Sequence, residues 1–469
     1  MESTVRVHPV ADPAVRASRL LAPHEDGQVN PYALPVRGWA VAREPAVALE
    51  VAHGSAVVQS LPLAQRSMEA ATQAGAALAP PARALLQGRV FAARGLSRLG
   101  WEVERSAGAV RRILRPDVLY SGFSGSIPLL GLPARCTLRL SLRLAGGEAA
   151  ALADVSIDRP PVRVTQPARY QPLMVTSVGR SGSTWFQHLL SQHPAVAAFR
   201  AHSYEATPAR ELLLLAANSA ASGPYTEAFF ARKGFRSLLT GPSAGDAMPR
   251  MMAAVGEGVR EQAEAAVRAI DRFYDLADRM DGRPAAGDEG TRYFTEKNLR
   301  PEWLFWEVYP RAKEIFLVRD FRDVITSSLA ANAKWGKRFF GRGQAADDRD
   351  YVFVRAAMAR PWILEPWRQR SDRAHLVRYE ELILNPEPVL RGVLEYLELD
   401  PSDAAIAQML RLAGATQAGD ARSEHMTSSS AAASIGRWKK DLPPPLVAAC
   451  DEAFAEFFDA FYPAGTAGT

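Results

Sequence analysis

The sequence predicts an α/β protein, a parallel sheet flanked by helices, preceded by a β-rich, sandwich-like domain that carries a helical insertion. Two observations predict it. After about residue 170, continuous apolar runs alternate with helical patterns: "PLMVTSV", "AKEIFLVRD" and "AHLVRYEEL" are each followed by a helical stretch. Parallel strands buried on both faces and joined through helices read this way. Before residue 160 the runs are short, and "RCTLRLSLRLAGG" alternates apolar and polar residues before a glycine turn.

The elements follow in order. Residues 1–160 form the β-rich accessory domain, with strand-like runs over 31–63 and 118–157. An alanine- and arginine-rich stretch of helical texture, about 64–115, separates the two sets. The repeated turn glycines suggest a sandwich, with a structural role or a role in carbohydrate binding or acceptor positioning. Residues 161–170 belong to a proline-rich connector, and residues 171–469 form the α/β domain. Within it, Glu205 to Met280 reads as mainly helical, and "PPPLVAACDEAFAEFFDAFYP" as one amphipathic helix started by prolines.

The 469 residues are 48% hydrophobic, enough for sizeable cores. The net charge of +5 comes from dispersed basic residues. That balance suits an anionic ligand and argues against a nucleic-acid surface. Two cysteines, Cys136 and Cys450, make neither a disulfide framework nor a metal site. The N-terminal residues lack the apolar core of a signal peptide, and no apolar run approaches the roughly 20 residues that span a bilayer. The expectation is a soluble, cytoplasmic chain with no transmembrane segment, no nucleic-acid partner and no metal.

The first chemical motif lies where "PLMVTSV" turns into a helix, at Gly179-Arg180-Ser181-Gly182-Ser183-Thr184. A helix start leaves its first backbone N–H groups unpaired and pointing at one spot, where the helix dipole adds positive potential. Gly179 and Gly182 allow a tight turn and a close approach. The hydroxyls and Arg180 complete a cradle for a phosphate-like group. The strand-turn-helix is P-loop-like but departs from a Walker loop: two residues separate its glycines instead of four, and no Lys follows. The second motif is "YPRAKEIFLVRDFRDVITSSLA". Arg319 at a strand end and Ser327 in the following helix are placed to clamp one anion from two sides. The alternative for this segment is a surface salt-bridge cluster of Arg319 with Asp320, Arg322 and Asp323.

Four segments in order, "GRSGSTW", "VRDFRDVITS", "LVRYEELILNP" and "SIGRWKKDLP", resemble the sulfotransferase family that uses 3′-phosphoadenosine 5′-phosphosulfate (PAPS). The match is nearer to bacterial and Golgi-type members than to cytosolic phenol sulfotransferases, and it covers about residues 171–463. The resemblance implies PAPS as cofactor, without a metal, and transfer of a sulfonate to a hydroxyl or amine of an acceptor. The appended β-rich domain and the helical acceptor region suggest a glycan, glycolipid or other large acceptor, with a small metabolite as the alternative.

By the same resemblance, Gly179, Arg180, Ser181, Gly182, Ser183 and Thr184 hold the phosphosulfate, and Arg180 stabilises the leaving oxygen. Arg319 and Ser327 bind the 3′-phosphate. Trp185 and Tyr379 lie near the adenine or are core residues. Where many members carry Arg-Lys-Gly, this chain has Ala431-Ala432-Ala433, so Ser434, Arg437 and Lys439 become candidates for those phosphate contacts. Trp438 is cofactor-adjacent or core. Lys297 matches a family lysine that contacts the bridging oxygen or the sulfonate. Glu296 either orients Lys297 or acts as base, while Glu205 is preferred to His202 as general base. Two other readings stay open: a P-loop nucleotide kinase or phosphotransferase, and a carbohydrate-binding protein with an inactive sulfotransferase domain.

Overall fold

The computed structural model describes residues 3–23, 31–54, 56–63, 121–165, 167–200, 204–220, 247–282, 292–300, 302–336, 338–415 and 427–463. The chain divides into two units, Met1–Arg163 with Leu214–Gln262, and Val164–Leu213 with Ala263–Thr469.

In the first unit the alternation of "RCTLRLSLRL" does what period two requires. Leu138, Leu140 and Leu142 are fully buried, while Arg139 on the opposite face pairs with Asp154 at 2.8 Å. Among the described residues this strand is β7 of eight: β1 (Thr4–Pro9), β2 (Val15–Ala22), β3 (Ala33–Ala42), β4 (Ala46–His53), β5 (Ala56–Pro62), β6 (Gly122–Pro128), β7 (Arg135–Leu144) and β8 (Ala149–Asp158). They pair antiparallel in two sheets, β1-β8-β7-β4-β5 and β2-β3-β6. Leu34 and Phe123 of the smaller sheet share one core with Leu49 and Leu140 of the larger. The first two strands went unread in the sequence, where exposed arginines and a histidine interrupt the apolar pattern. The stretch 64–115, read as a helical insertion, lies outside the described residues.

Among the described residues the second unit holds five parallel strands: β9 (Tyr170–Thr176), β10 (Val196–Ala197), β11 (Arg292–Lys297), β12 (Lys313–Val318) and β13 (His375–Arg378). Their order is β10-β11-β9-β12-β13. The helices are α1 (Ser183–Leu190), α2 (Pro208–Ala220), α3 (Ala247–Met280), α4 (Glu302–Val308), α5 (Phe321–Trp335), α6 (Asp348–Ala359), α7 (Glu365–Arg370), α8 (Tyr379–Leu384), α9 (Pro386–Tyr396), α10 (Asp403–Ala415), α11 (Trp438–Asp441), α12 (Pro444–Ala453) and α13 (Ala455–Phe461), with the parts of α2 from Leu214 and of α3 up to Gln262 belonging to the first unit. Alternate residues of β12 serve opposite cores. Ile315 and Leu317 pack with α1, α8, α9 and α10, whereas Phe316 and Val318 pack with α5, α6, α12 and α13. The helix expected over the C-terminal apolar stretch breaks in two at Phe454, whose ring stacks on Phe321 with centroids 4.9 Å apart. Among the described residues no helix is long and apolar enough to cross a membrane.

Two buried polar clusters fix this sheet. Asp271 of α3 accepts the backbone N–H groups of Arg169 and Tyr170 at 3.1 and 3.2 Å, anchoring the start of β9. Deeper in, Glu314 of β12 accepts two hydrogen bonds from Arg370 of α7 at 2.8 and 3.0 Å and one from the Thr176 hydroxyl at 2.6 Å. Burial pushes the Glu314 carboxyl up, and the Arg370 charge opposes it. Removing one partner strands a buried charge. Arg370→Leu is therefore expected to destabilise the protein by about 3–5 kcal/mol, read as a lower urea midpoint at unchanged slope.

Candidate active site

In a parallel sheet the strands end on one edge, where ligands collect in open α/β folds. Here the turn after β9, Lys297 at the end of β11 and Arg319 after β12 all border one cavity of about 1020 Å³. That volume is at the top of the roughly 300–1,000 Å³ range of small-molecule sites.

The turn after β9 is set by left-handed backbone at Arg180 (φ 79°) and Gly182 (φ 86°). Gly182 has no alternative: a Cβ there would lie 2.4 Å from Cε2 of Tyr379. Likewise a Cβ on Gly179 would meet the Phe340 ring at 2.8 Å. The turn delivers the chain into α1, whose first N–H groups have no intrahelical partner.

From this turn one network reaches both predicted anion motifs. Arg180 Nε donates to Ser327 Oγ at 3.1 Å, and Arg319 Nη1 donates to the Arg180 carbonyl at 3.2 Å. Arg319 also donates to the Ser434 carbonyl and stands 4.9 Å from the centre of the Tyr379 ring. Tyr379 Oη lies 3.2 Å from Ser434 Oγ. Burial holds the Arg180 pKa below its ordinary value, and the Arg319 charge adds to this.

On the other side of the turn, Lys297 Nζ donates to Thr184 Oγ1 at 2.8 Å and to Glu205 Oε1 at 2.6 Å. The pair is asymmetric, with side-chain exposures of 5% for Lys297 and 63% for Glu205. Burial lowers the Lys297 pKa and Glu205 opposes that shift.

Gly179, Arg180, Gly182, Ser183, Thr184, Trp185, Glu205, Lys297, Arg319, Ser327, Tyr379, Ser434 and Arg437 thus line the same cavity. Four other expected residues stand apart from that lining. Ser181 is buried under the turn. Glu296 is turned into the protein, where it accepts hydrogen bonds from the Tyr274 hydroxyl and from the α2 N–H groups of Ala209 (2.8 Å) and Arg210 (3.4 Å). Trp438 packs against the Arg322 guanidinium at 3.9 Å, and Lys439 is exposed beside it. His202 lies outside the described residues.

Three contributors were not read as site residues in the sequence. Arg355 of α6 donates to the Gly179 carbonyl at 3.2 Å, 176 residues away in sequence. Asn298 accepts the Ser177 N–H at 2.9 Å. Asp323, expected in a salt-bridge cluster, instead accepts the N–H groups of Gly436 (2.7 Å) and Trp438 (3.0 Å), tying the Ser434–Arg437 loop to α5.

Among the described residues the lining carries five cationic side chains, Arg180, Lys297, Arg319, Arg355 and Arg437, against two carboxylates, Glu205 and Asp323. Ser177 Oγ, Trp185 Nε1, Arg319 Nε and Arg355 Nε are buried there with no hydrogen-bond partner among the described residues. Buried donors rarely stay unpaired in native proteins, so this cluster fits an anionic, acceptor-rich ligand.

Comparison with known proteins agrees in part. A family model described as "Sulfotransferase family" matches residues 172–404. No curated protein matches the chain. Similar solved structures include the sulfotransferase domain from the curacin biosynthetic pathway, 17% identical, covering 61% of this chain and 97% of that one at a TM-score of 0.33. A sulfotransferase from Mycobacterium avium is 16% identical over 63% of this chain and 77% of that one, with a TM-score of 0.32. A mouse sulfotransferase complexed with PAP is 12% identical over 62% of this chain and 86% of that one, with a TM-score of 0.34.

Two outcomes are expected from this geometry. Gly182→Ala forces a methyl group into the Tyr379 ring on a left-handed backbone, and should lower stability by about 1–3 kcal/mol, measured by chemical denaturation. The second concerns Glu296, whose carboxyl burial pushes up to about 7 from an ordinary 4.5. Between those values the unfolded chain releases a proton that the folded one keeps, so this group's contribution to stability falls as pH rises, by about 3 kcal/mol in total. Glu296→Gln should remove that decline, and the difference in stability between the two proteins at pH 5 and pH 8 checks it.

Proposed function

Because the chain carries a sulfotransferase-family domain over residues 172–404, we propose that it transfers a sulfonate group from PAPS to a hydroxyl or amine of an acceptor. The observation that carries this reading is the hydrogen-bond network joining Arg180, Ser327 and Arg319, which brings two anion-binding motifs to one cavity. A nucleotide bearing charged groups at both its 3′ and 5′ ends needs two such cradles. The five cations and the unpaired donors of the lining support the same ligand.

In this reading the helix N-terminus at Ser183 and Thr184, with Arg180, holds the 5′ end. Arg319 and Ser327 hold the 3′-phosphate. Tyr379, Ser434 and Arg437 complete that side, with Asp323 positioning the last two through its loop contacts. When bound, the donor supplies the sulfonate: its sulfur–oxygen bond to the bridging oxygen breaks as one to the acceptor oxygen forms. Glu205 takes the acceptor proton, and Lys297 beside Thr184 is placed to neutralise charge on the transferring group. Glu296 supports β11 and the start of α2 from the interior and takes no proton from the acceptor.

Adenosine 3′,5′-bisphosphate should raise the Tm well above the shifts given by ADP or by ATP with magnesium. Arg319→Ala is expected to abolish the bisphosphate shift and leave the ADP shift in place. An unchanged response would remove the 3′-phosphate assignment, and a dominant shift by magnesium ATP would favour the kinase reading. Arg180→Ala and Lys297→Ala should each lose on the order of 10²–10³-fold in transfer rate while keeping the wild-type circular dichroism spectrum. Near-normal transfer in either removes that residue from the mechanism.

A further inference from the structure

The proposed reading leaves one wall of the cavity without a role. It runs from the end of α5 through α6 into the turn after it. Between residues 335 and 362 its lining is aromatic and aliphatic apart from Arg355. Exposed large apolar side chains are few among the described residues, nine in all, and three of them lie on this wall: Phe339 (43% exposed), Met358 (37%) and Trp362 (42%). Apolar surface gathered in one cavity marks a binding site.

The wall is also built. Phe340 and Gly341 are both left-handed, with φ of 55° and 82°, and a Cβ on Gly341 would lie 2.5 Å from Met358 Sδ. This turn seats the Phe340 ring against Gly179, so the wall begins at the turn that α1 grows from. At its other end Trp362 sits in a π-helical turn, Arg360–Leu364, inserted between α6 and α7. Such insertions cluster at functional sites. Arg300 fixes it, donating to the carbonyls of Pro361 and Trp362 at 3.0 Å each and lying 4.1 Å from the Trp362 ring centre. Lys297 and Glu205 line the same cavity as this wall.

Resting on the sulfonate-transfer reading, we propose that the acceptor is an apolar alcohol, aromatic or long-chain, whose hydrocarbon body lies on Met358, Trp362 and Phe339 with its hydroxyl at Glu205. The charged end of the cavity, at Arg319 and Arg437, belongs to the donor. A free oligosaccharide would present several hydroxyls to this wall, where, among the described lining residues between 335 and 362, Arg355 carries the one charged side chain and donates to the Gly179 carbonyl. Unpaired hydroxyls on an apolar surface are unfavourable, whereas a ring or alkyl chain buries Trp362 and Met358 without that penalty.

The test uses the full chain with 2-naphthol, 1-decanol and a neutral oligosaccharide as acceptors, and adenosine 3′,5′-bisphosphate as a separate probe of the donor side. Naphthol and decanol should bind by calorimetry and accept sulfonate, the oligosaccharide should not, and Met358→Glu and Trp362→Ala should each weaken naphthol binding at least tenfold with bisphosphate affinity unchanged. Bisphosphate binding together with transfer to the oligosaccharide, or with naphthol binding unaltered in both variants, overturns the apolar acceptor and spares sulfonate transfer. Naphthol binding that the variants abolish, in a protein that ignores the bisphosphate, keeps the apolar subsite and overturns the donor reading instead.

Discussion

The second unit depends on one close approach: the Tyr379 ring lies where a Cβ on Gly182 would be. The contact presses β13 and α8 onto the turn after β9, and only a residue without a side chain permits it. Arg180 takes a left-handed conformation in the same turn, an unfavourable choice for a side chain of its size. The strain is held by neighbours on every side, with Phe340 against Gly179, Arg355 on the Gly179 carbonyl and Arg319 on the Arg180 carbonyl.

The buried cations differ in their electrostatic surroundings. Arg370 is buried, but Glu314 and Glu302 surround it with carboxylate oxygens at 2.8 to 3.2 Å, so its charge is balanced inside the protein. Arg355 is buried and Arg180 half-buried, both beside carbonyl, hydroxyl or aromatic groups, and desolvation lowers both their pKa values. Such cations favour a ligand that brings negative charge. Lys297 is intermediate: its partner Glu205 is largely exposed, which leaves the pair able to open when an anion or a proton donor arrives.

The parts legible in the sequence were those whose physics is local. The parallel strands β9, β12 and β13 announce themselves as apolar runs followed by helical periodicity, and the turn between β9 and α1 as glycines at a strand end. β11 was missed because its last three residues, Thr295, Glu296 and Lys297, are polar and nonetheless buried. Their partners come from α1, α2, α3 and the turn at Glu205, and a strand of polar residues has no period that betrays it. Glu296 and Lys297 are neighbours in sequence and looked like one functional unit. A strand points successive side chains to opposite faces, so one reaches the cavity and the other the interior.

The sequence by itself determined the two motifs read as anion cradles, since the turn at Gly179 and Gly182 and the Arg319–Ser327 pair are matters of backbone geometry and short spacing that a linear pattern records. Only the tertiary structure decided what stands beside them. Arg355, Asp323 and the apolar wall ending at Trp362 reach the cavity from helices and a π-helical turn that the chain order separates from the β9 turn by more than a hundred residues. Their contribution is a matter of packing direction and distance, and those are properties of the folded sheet edge that no local pattern of residues encodes.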